Sequence, residues 1–174
     1  MRSINKLQAM LLPILLLASI PFSAHALKGD TNKPIEVEAD SVEIDDGKSM
    51  SIYKGNVILT QGSIRLTADK ITVIQHENKS DQIKAVGRPA RLTQKAEKGK
   101  KAIKGRSSRM EYSVDSDILY LIGNAILIQD KDTFKSDRIA YDRNKSLIKG
   151  GTSANGKQRV RVTIKSNNKK KKSK

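Results

Sequence analysis

An internal repeat is the feature that most restricts how this chain can fold. Residues 55–61, GNVILTQ, align without a gap at an offset of 68 residues with residues 123–129, GNAILIQ. The match extends downstream to residues 69–71 and 137–139, and the apolar positions correspond throughout: Met50 with Ile118, Ile52 with Tyr120, Leu59 with Leu127, Leu66 with Phe134 and Val73 with Tyr141. One supersecondary unit is therefore used twice. Two copies that share one interior predict stacked sheets in a sandwich or an elongated jelly roll.

Short alternating segments predict that the repeated unit is made of β-strands. Between residues 34 and 165 there is no sustained apolar stripe of helical period,. Alternate residues are instead apolar in segments rich in Ile, Val, Leu and Thr, such as residues 35–39, 63–68, 70–73 and 159–164,. Glycines punctuate the chain at intervals too short for crossover helices, so the pattern predicts an antiparallel all-β domain.

The composition excludes several functional classes and suggests one kind of partner. The chain of 174 residues has no cysteine, which excludes a disulfide scaffold, a cysteine zinc site and thiol chemistry,. Its length favours one compact domain. The 34 Lys and Arg residues outnumber the 18 Asp and Glu residues, giving a net charge of +16. Such a charge indicates an anionic partner, whether nucleic acid, a membrane surface or a phosphorylated lipid.

The first 26 residues are typical of a secretory signal peptide. Arg2 and Lys6 precede an apolar run over residues 10–22, and Ala24-His25-Ala26 forms a small-x-small cleavage site,. The alternative is a membrane anchor, but the run is short and contains two prolines,. We therefore expect one extracytoplasmic domain at residues 27–165 and a disordered basic tail at residues 166–174. That tail either contacts anionic head groups weakly or serves as a solubilising end.

An enzyme is the first alternative, and the sequence argues against it. His76 is the one histidine that follows the signal peptide, and it lies in the polar run 75–81, which is typical of a solvated hairpin turn rather than a triad with Ser80 and Asp81,. The neighbouring carboxylates Asp45 and Asp46, and Asp130 and Asp132, are typical of turns,. No phosphate-binding glycine loop is present,. The sequence predicts no catalytic activity, no cofactor and no metal site.

A nucleic-acid module is the second alternative, because small basic β-barrels bind single strands. Such proteins stack bases on displayed aromatic side chains. The aromatic residues after the signal peptide are few, and three of them occupy apolar positions of the repeat, so we expect them to be buried: Tyr53, Tyr112, Tyr120, Phe134 and Tyr141. Together with an export signal, this argues against nucleic acid as a partner.

Several motifs resemble the periplasmic lipopolysaccharide-transport protein A family of Gram-negative bacteria. The resemblance begins at residues 29–31 and 34–40, is strongest at residues 55–62 and 68–70, and continues at residues 87–90 and 123–125. It implies an elongated, twisted open antiparallel β-jelly roll that carries lipopolysaccharide between the inner and outer membranes. It also implies head-to-tail self-assembly and similarly folded partners at each membrane.

The periodic apolar residues of both copies are the predicted lipid-binding lining of such a carrier. They are Ile35, Val37, Val42, Ile44, Met50, Ile52, Val57, Leu59, Ile64, Leu66, Ile71, Val73, Met110, Tyr112, Ile118, Tyr120, Leu127, Phe134 and Ile139. The same aliphatic pattern fills every β-sandwich core, so the alternative is a secreted basic interaction module that binds another anionic ligand without transporting lipid. Lipid phosphates would attract basic residues near a groove mouth, and the candidates are Arg65, Lys70, Arg88 and Arg91,.

Two segments are predicted to be edge strands through which copies assemble. Residues 34–39 and 159–165 lie near the two ends of the predicted domain, and charged residues alternate with apolar ones in the second segment. Charges on an edge strand prevent unwanted pairing, which is the alternative interpretation. The functional interpretation is that the two edges pair between copies and extend the sheet through Ile35 and Val37 on one side and Val160, Val162 and Ile164 on the other.

Overall fold

The computed structural model describes residues 30, 33–76, 80–96, 101–151 and 159–165, which form a ten-stranded antiparallel sheet. The strands are β1 (Ile35–Glu38), β2 (Ser41–Asp45), β3 (Met50–Gln61), β4 (Ile64–Ile74), β5 (Gln82–Gln94), β6 (Ile103–Ser113), β7 (Ile118–Gln129), β8 (Asp132–Asp142), β9 (Leu147–Gly150) and β10 (Arg161–Thr163). One 3-10 turn, Asp46–Lys48, joins β2 to β3. The prediction of an antiparallel all-β domain is confirmed. The predicted signal peptide and the lysine-rich tail lie outside the described residues.

The long strands β3 to β8 are neighbours in the sheet in sequence order. At one end, β1 and β2 both pair with β3, and at the other end β9 and β10 both pair with β8. The two predicted edge strands therefore lie at the edges, as β1 and β10. Within the described ranges no helix is long and apolar enough to cross a membrane.

The internal repeat is visible in the strands and in their irregularities. β3 and β7 have 12 residues each, and β4 and β8 have 11 each. Gly55 and Gly123 both have φ of 78°, and the asparagines that follow have φ of 44° and 50°. Glycine adopts a positive φ without steric cost and asparagine tolerates it. The repeated Gly-Asn pair therefore encodes the same break in strand pairing twice.

These breaks align across the sheet and bend it. The pairing register shifts between every two neighbouring long strands, at residues 55–56 of β3, 69 of β4, 87–89 of β5, 107–108 of β6, 123–124 of β7 and 137 of β8. Such bulges bend a strand. Ile83 and Gln94 of β5 would be about 35 Å apart in an extended strand, yet both line the same cavity. The strands are therefore folded over along this line, which we call the seam.

The seam divides the sheet into two facing layers, as a jelly roll requires. The first layer contains the halves of the strands that end at Gln61, Gln94 and Gln129, and its edges are β1 and β10. The second layer contains the halves that end at the turns 114–117 and 143–146, and its edges are β2 and β9. The buried core lies between the layers, where Ile71, Leu121, Leu127 and Ile139 have no exposed surface.

Candidate functional site

The face of the sheet that lies between the layers is a continuous apolar surface. In the first layer one row of directly paired residues crosses the sheet from edge to edge: Val37, Leu59, Leu66, Leu92, Gly105, Leu127, Phe134 and Val162. A matching row crosses the second layer: Val42, Tyr53, Ile71, Ala85, Met110, Leu121, Ile139 and Gly150. We call the space between these rows the interior groove.

One cavity in the interior groove is enclosed by residues of β3 to β7 and by Arg143. Its volume is about 50 Å³, and it is lined by Leu59, Gln61, Ile64, Leu66, Ile83, Ala85, Leu92, Gln94, Met110, Tyr112, Leu119 and Arg143. A space of this size holds only a few water molecules. The groove is therefore nearly closed in this conformation, and its walls are mostly aliphatic.

Most of the residues predicted to line a groove lie on the interior face. Twelve of them are buried in the core, line the cavity or pack against the core: Val37, Val57, Leu59, Ile64, Leu66, Ile71, Val73, Met110, Tyr112, Leu127, Phe134 and Ile139. Three more, Ile35, Val42 and Ile44, are on the same face but lie at the sheet edge, where 48%, 56% and 64% of their surface is exposed. The interior groove is thus open at this end.

Four predicted lining residues, Met50, Ile52, Ile118 and Tyr120, are on the outer face instead. The bulge in β3 contains two residues, 55 and 56, so it leaves the odd-even alternation unchanged. Tyr53, Val57 and Leu59 therefore share the interior face, and the even-numbered positions point away,. β7 behaves in the same way. On the outer face Tyr120 has the Arg138 guanidinium 4.7 Å from its ring centroid. The prediction was wrong because both faces of these strands are apolar here.

Several lining residues were not predicted from the sequence. Ile83, Ala85 and Leu92 belong to β5, which is not aligned with a long strand in the other copy of the repeat, and Leu119 lies between two residues that were chosen instead. Alternation of Ile83 with Ala85 was the available signal. Arg143 follows β8 in the turn 143–146, and no local pattern indicates that this arginine lines an apolar cavity.

A buried polar cluster lies where the second layer ends. The Arg143 guanidinium is 2.9 Å from the Asp117 carboxylate, and the Tyr112 hydroxyl donates a hydrogen bond of 2.9 Å to the same carboxylate. Arg143 also donates to the Tyr112 hydroxyl at 3.2 Å. Burial, and next the charge of Asp117, raise the pKa of Tyr112 to about 12. The cluster joins the turns that follow β6 and β8, since the Arg143 amide donates to the Asp117 carbonyl.

A second polar cluster lies where the first layer ends. The buried Asp30 carboxylate accepts hydrogen bonds of 2.9 Å from the Gln94 amide and 2.7 Å from the Ser63 hydroxyl. Gln94 and its neighbour Gln61 both line the cavity. The interior groove therefore has aliphatic walls and two polar lips, and this arrangement suits an amphipathic guest with apolar chains between the layers and polar groups at the lips.

Comparisons with known proteins agree with this architecture. The family model described as LptA/(LptD N-terminal domain) LPS transport protein matches residues 36–146. The chain belongs to this family. It is 36% identical over 129 residues to the lipopolysaccharide export system protein LptH of Pseudomonas aeruginosa, covering 74% of each chain. It is 40% identical over 129 residues to the lipopolysaccharide export system protein LptA of Escherichia coli strain K12, covering 73% of this chain and 68% of that protein.

A solved structure of the same family has the same fold. The crystal structure of LptH, the LptA homologous periplasmic component of the lipopolysaccharide transport device of Pseudomonas aeruginosa, superimposes with a TM-score of 0.73 at 31% identity. The match covers 79% of this chain and 99% of that chain. The elongated open β-jelly roll predicted for this chain is therefore confirmed.

The candidate catalytic groups of this family member lie in turns or at the ends of strands. His76 is exposed after β4, and its amide donates to the Asp81 carboxylate at 3.0 Å. Asp45 caps the 3-10 turn by accepting from the Lys48 amide, and Asp132 accepts from the Lys165 amide. Within the described part of the chain, no three His, Asp or Glu side chains are grouped as metal ligands. The interior groove, by contrast, offers an apolar binding surface.

The four basic candidates for phosphate contact are on the outside of the jelly roll. Arg65, Lys70 and Arg91 are exposed outer-face residues of β4 and β5. Arg88 lies at the seam, where its guanidinium is 3.1 Å from the Asp69 carboxylate. Of the residues that the structure describes, Arg143 is instead the one with a cationic side chain that lines the cavity.

Proposed function

We propose that this chain is a periplasmic, non-enzymatic carrier that binds lipopolysaccharide by placing the lipid A acyl chains in the interior groove. The relatives that it matches carry the name lipopolysaccharide export system protein, and the matched solved structure is a periplasmic component. The observation that carries the proposal is the pair of apolar rows that run from edge to edge of the sheet without interruption by a charge. The predicted signal peptide supports the location.

The energetics of such binding are favourable even for a short length of chain. Each methylene transferred from water contributes about 0.8 kcal/mol, so ten methylenes contribute about 8 kcal/mol. Aliphatic walls such as Leu59, Leu66 and Leu92 provide this energy without directional contacts. Release to the next carrier is then not opposed by a set of hydrogen bonds, as transport requires.

The acyl chains need more room than the interior groove has in this conformation. A volume of about 50 Å³ does not hold even one such chain,. The long strands β3 to β8 pass from one layer to the other at the seam, so we propose that the layers separate at the lips and pivot along that line. The glycines Gly55, Gly87 and Gly123 lie on it.

Site-specific photocrosslinking distinguishes groove binding from surface binding. A photoreactive residue at Leu66, on the interior face, should give a lipopolysaccharide adduct in the Gram-negative host, and one at the exposed edge residue Ile35 should do so as well. The matched control is Thr67, which follows Leu66 and points to the outer face. Mass spectrometry identifies the adduct. Equal yields of adduct from positions 66 and 67 would contradict the interior groove as the binding site.

We further propose that copies join head to tail and extend both layers, and that the same edges meet similarly folded partners at the inner and outer membranes. The sheet path has eight antiparallel strands from β1 to β10, so β1 and β10 run in opposite directions. If the rows of one copy continue into the next, β10 pairs with β1 in antiparallel orientation. Val162 then faces Val37, and the interior apolar row is continuous from one copy to the next.

The charges at the two edges support this register. Continuing the rows into the next copy places Arg161 of one copy opposite Glu38 of the next copy in the first layer. In the second layer the same continuation places Lys149 in β9 of one copy opposite Glu43 in β2 of the next copy. Both continuations bring a cation next to a carboxylate, and no Asp or Glu follows Asp142 in the sequence. Opposite charges directly across a pair of strands stabilise it. Joining would also cover Val42, Ile44 and Val162, which are now exposed.

Charge reversal tests the register, and deletion tests the joint. Arg161→Glu should weaken association roughly tenfold, since it places two carboxylates opposite each other, and adding Glu38→Arg should restore it. Light scattering over a range of concentrations measures the growth of rods. Deletion of residues 159–174 should leave a folded, lipid-binding monomer. Undiminished growth after the deletion would rule out β10 as the joint, and failure of the double variant to recover would rule out the register.

A further inference from the structure

The outer face of the first layer has a group of cations that, apart from Arg161 at the proposed joint, the carrier function does not use. Arg91 of β5 is directly paired with Arg106 of β6, Arg106 with Ile126 of β7, Ile126 with Lys135 of β8, and Lys135 with Arg161 of β10. Lys104 is in the adjacent row. We call Arg91, Lys104, Arg106, Lys135 and Arg161 the basic stripe.

The basic stripe is not neutralised by the described part of the chain. Outside the stripe, three cations of the outer face have carboxylate partners: Lys54 with Glu43, Arg88 with Asp69 and Arg109 with Glu111. No residue of the stripe forms an ion pair with another described residue. Like charges directly opposite each other on neighbouring strands destabilise a sheet. The stripe therefore lowers the stability of the free protein, which is expected of a surface that binds an anionic partner.

The surface between the cations is apolar and shallow. Ile126 and Ile128 are half-buried, and they lie in a depression that is edged by Arg91, Lys104, Arg106 and Lys135. A neighbouring depression shares Arg106, Ile126 and Lys135 and continues to Arg159 and Arg161. Among the described residues no aromatic side chain lines either depression, so these residues provide no platform on which a nucleic acid base would stack,. An apolar floor with a cationic rim matches the boundary between lipid head groups and acyl chains.

We propose that the outer face of the first layer docks on an anionic phospholipid surface through the basic stripe. Arginine and lysine bind the head-group phosphates, while the aliphatic stems and the two isoleucines rest on the underlying methylenes. The stripe crosses five strands, β5 to β8 and β10, so its cations reach several head groups at once. This docking holds the chain against a membrane by a surface opposite to the interior groove, and it does not depend on what the groove carries.

Vesicle flotation with the full chain tests the proposal. The probe is phosphatidylcholine vesicles with and without phosphatidylglycerol. Each basic residue near an anionic surface contributes about fivefold in affinity, so the double variant Arg106→Gln/Lys135→Gln should bind phosphatidylglycerol vesicles about 30-fold more weakly. The matched control is Lys70→Gln/Lys95→Gln, which removes the same charge from exposed positions outside the stripe. It keeps the lysine tail, as the test variant does, and should bind within about threefold of the parent.

Thermal unfolding of the same variants gives an independent measurement. The test variant should melt at or above the temperature of the parent, because it relieves like-charge opposition in the sheet. The proposal is overturned if both double variants lose affinity equally, because binding then depends on net charge alone. It is also overturned if the stripe binds inorganic polyphosphate but not phosphatidylglycerol vesicles, because the partner is then a soluble polyanion.

Discussion

The buried ion pair between Asp117 and Arg143 should be one of the strongest single determinants of stability, and it can be tested by a double-mutant cycle. The two charged atoms are 2.9 Å apart, and the residues are only 7% and 8% exposed. Removing one partner of a buried pair typically costs about 3 to 5 kcal/mol, because the other charge remains buried without compensation. The side chains retain some contact with water here, so we expect the lower end of that range, about 3 kcal/mol.

Two substitutions isolate the interaction. Arg143→Met keeps much of the volume of the side chain and leaves the Asp117 carboxylate with the Tyr112 hydroxyl as its donor. Asp117→Asn keeps an acceptor for Tyr112, and asparagine tolerates the φ of 50° at this position,. Each single variant should lose about 3 kcal/mol, whereas the double variant, which has no unpaired charge, should lose much less than their sum.

Urea unfolding followed by far-ultraviolet circular dichroism measures these values. With a slope of about 2 kcal/mol per molar urea, each single variant should lower the midpoint by about 1.5 M. The coupling energy should be at least about 2 kcal/mol. If each single variant cost less than about 1 kcal/mol and the costs added within about 0.5 kcal/mol, the pair would not connect the turns that follow β6 and β8.

Three further predictions follow from individual residues. The raised pKa of Tyr112, about 12 against an ordinary 10.0, means that its stabilising contribution is complete below about pH 10 and is lost as the pH rises towards 12,. Tyr112→Phe should therefore flatten this part of the stability profile in alkaline unfolding. Leu121→Ala should cost about 2 to 5 kcal/mol in urea unfolding, and Ile122→Ala on the outer face less than half of that. Leu66→Asp should abolish lipopolysaccharide binding, measured among variants that still melt cooperatively; undiminished binding would contradict the lining.

The strands and the repeat could be predicted because their signals are local. Alternation of apolar residues marks β3, β4, β7 and β8, and the Gly-Asn pairs mark the positions where the backbone must adopt a positive φ. The offset of 68 residues then relates two pairs of strands of equal length. None of this requires knowledge of which strands are neighbours.

The site was predicted less completely because it depends on the bend at the seam. Leu59 and Leu66 were found because apolar residues alternate cleanly in the halves of β3 and β4 that contain them. On β4, however, the interior residues Ala68 and Ile71 are three positions apart, whereas on β3 the alternation is unbroken. A strand with apolar residues on both faces, such as β3 with Ile52 and Tyr53, does not indicate which face is inside. Arg143 directly follows β8, and the pairing of β8 with β7 brings it to the groove. No pattern in the sequence around Arg143 indicates this position.

The proposed separation of the layers can be tested because the chain has no cysteine of its own. Burial raises the pKa of the Tyr141 hydroxyl, whereas its hydrogen bonds with Gln129 in the first layer and Ser146 in the second lower it. The Tyr141 hydroxyl is therefore within reach of both lips. The variant Gln129→Cys/Ser146→Cys therefore places two thiols on opposite lips, and a short cleavable bismaleimide should join them.

Joining the lips should prevent lipopolysaccharide uptake without unfolding the protein, because the layers then cannot pivot at the seam. Cleavage of the crosslinker should restore uptake, measured by co-purification of lipopolysaccharide with the protein. The matched control is Ile58→Cys/Thr67→Cys, a directly paired couple within the first layer, whose crosslink leaves the layers free to separate. Normal uptake by the protein with joined lips would show that acyl chains enter along the open ends of the groove, past Val42 and Ile44, and that the layers need not part.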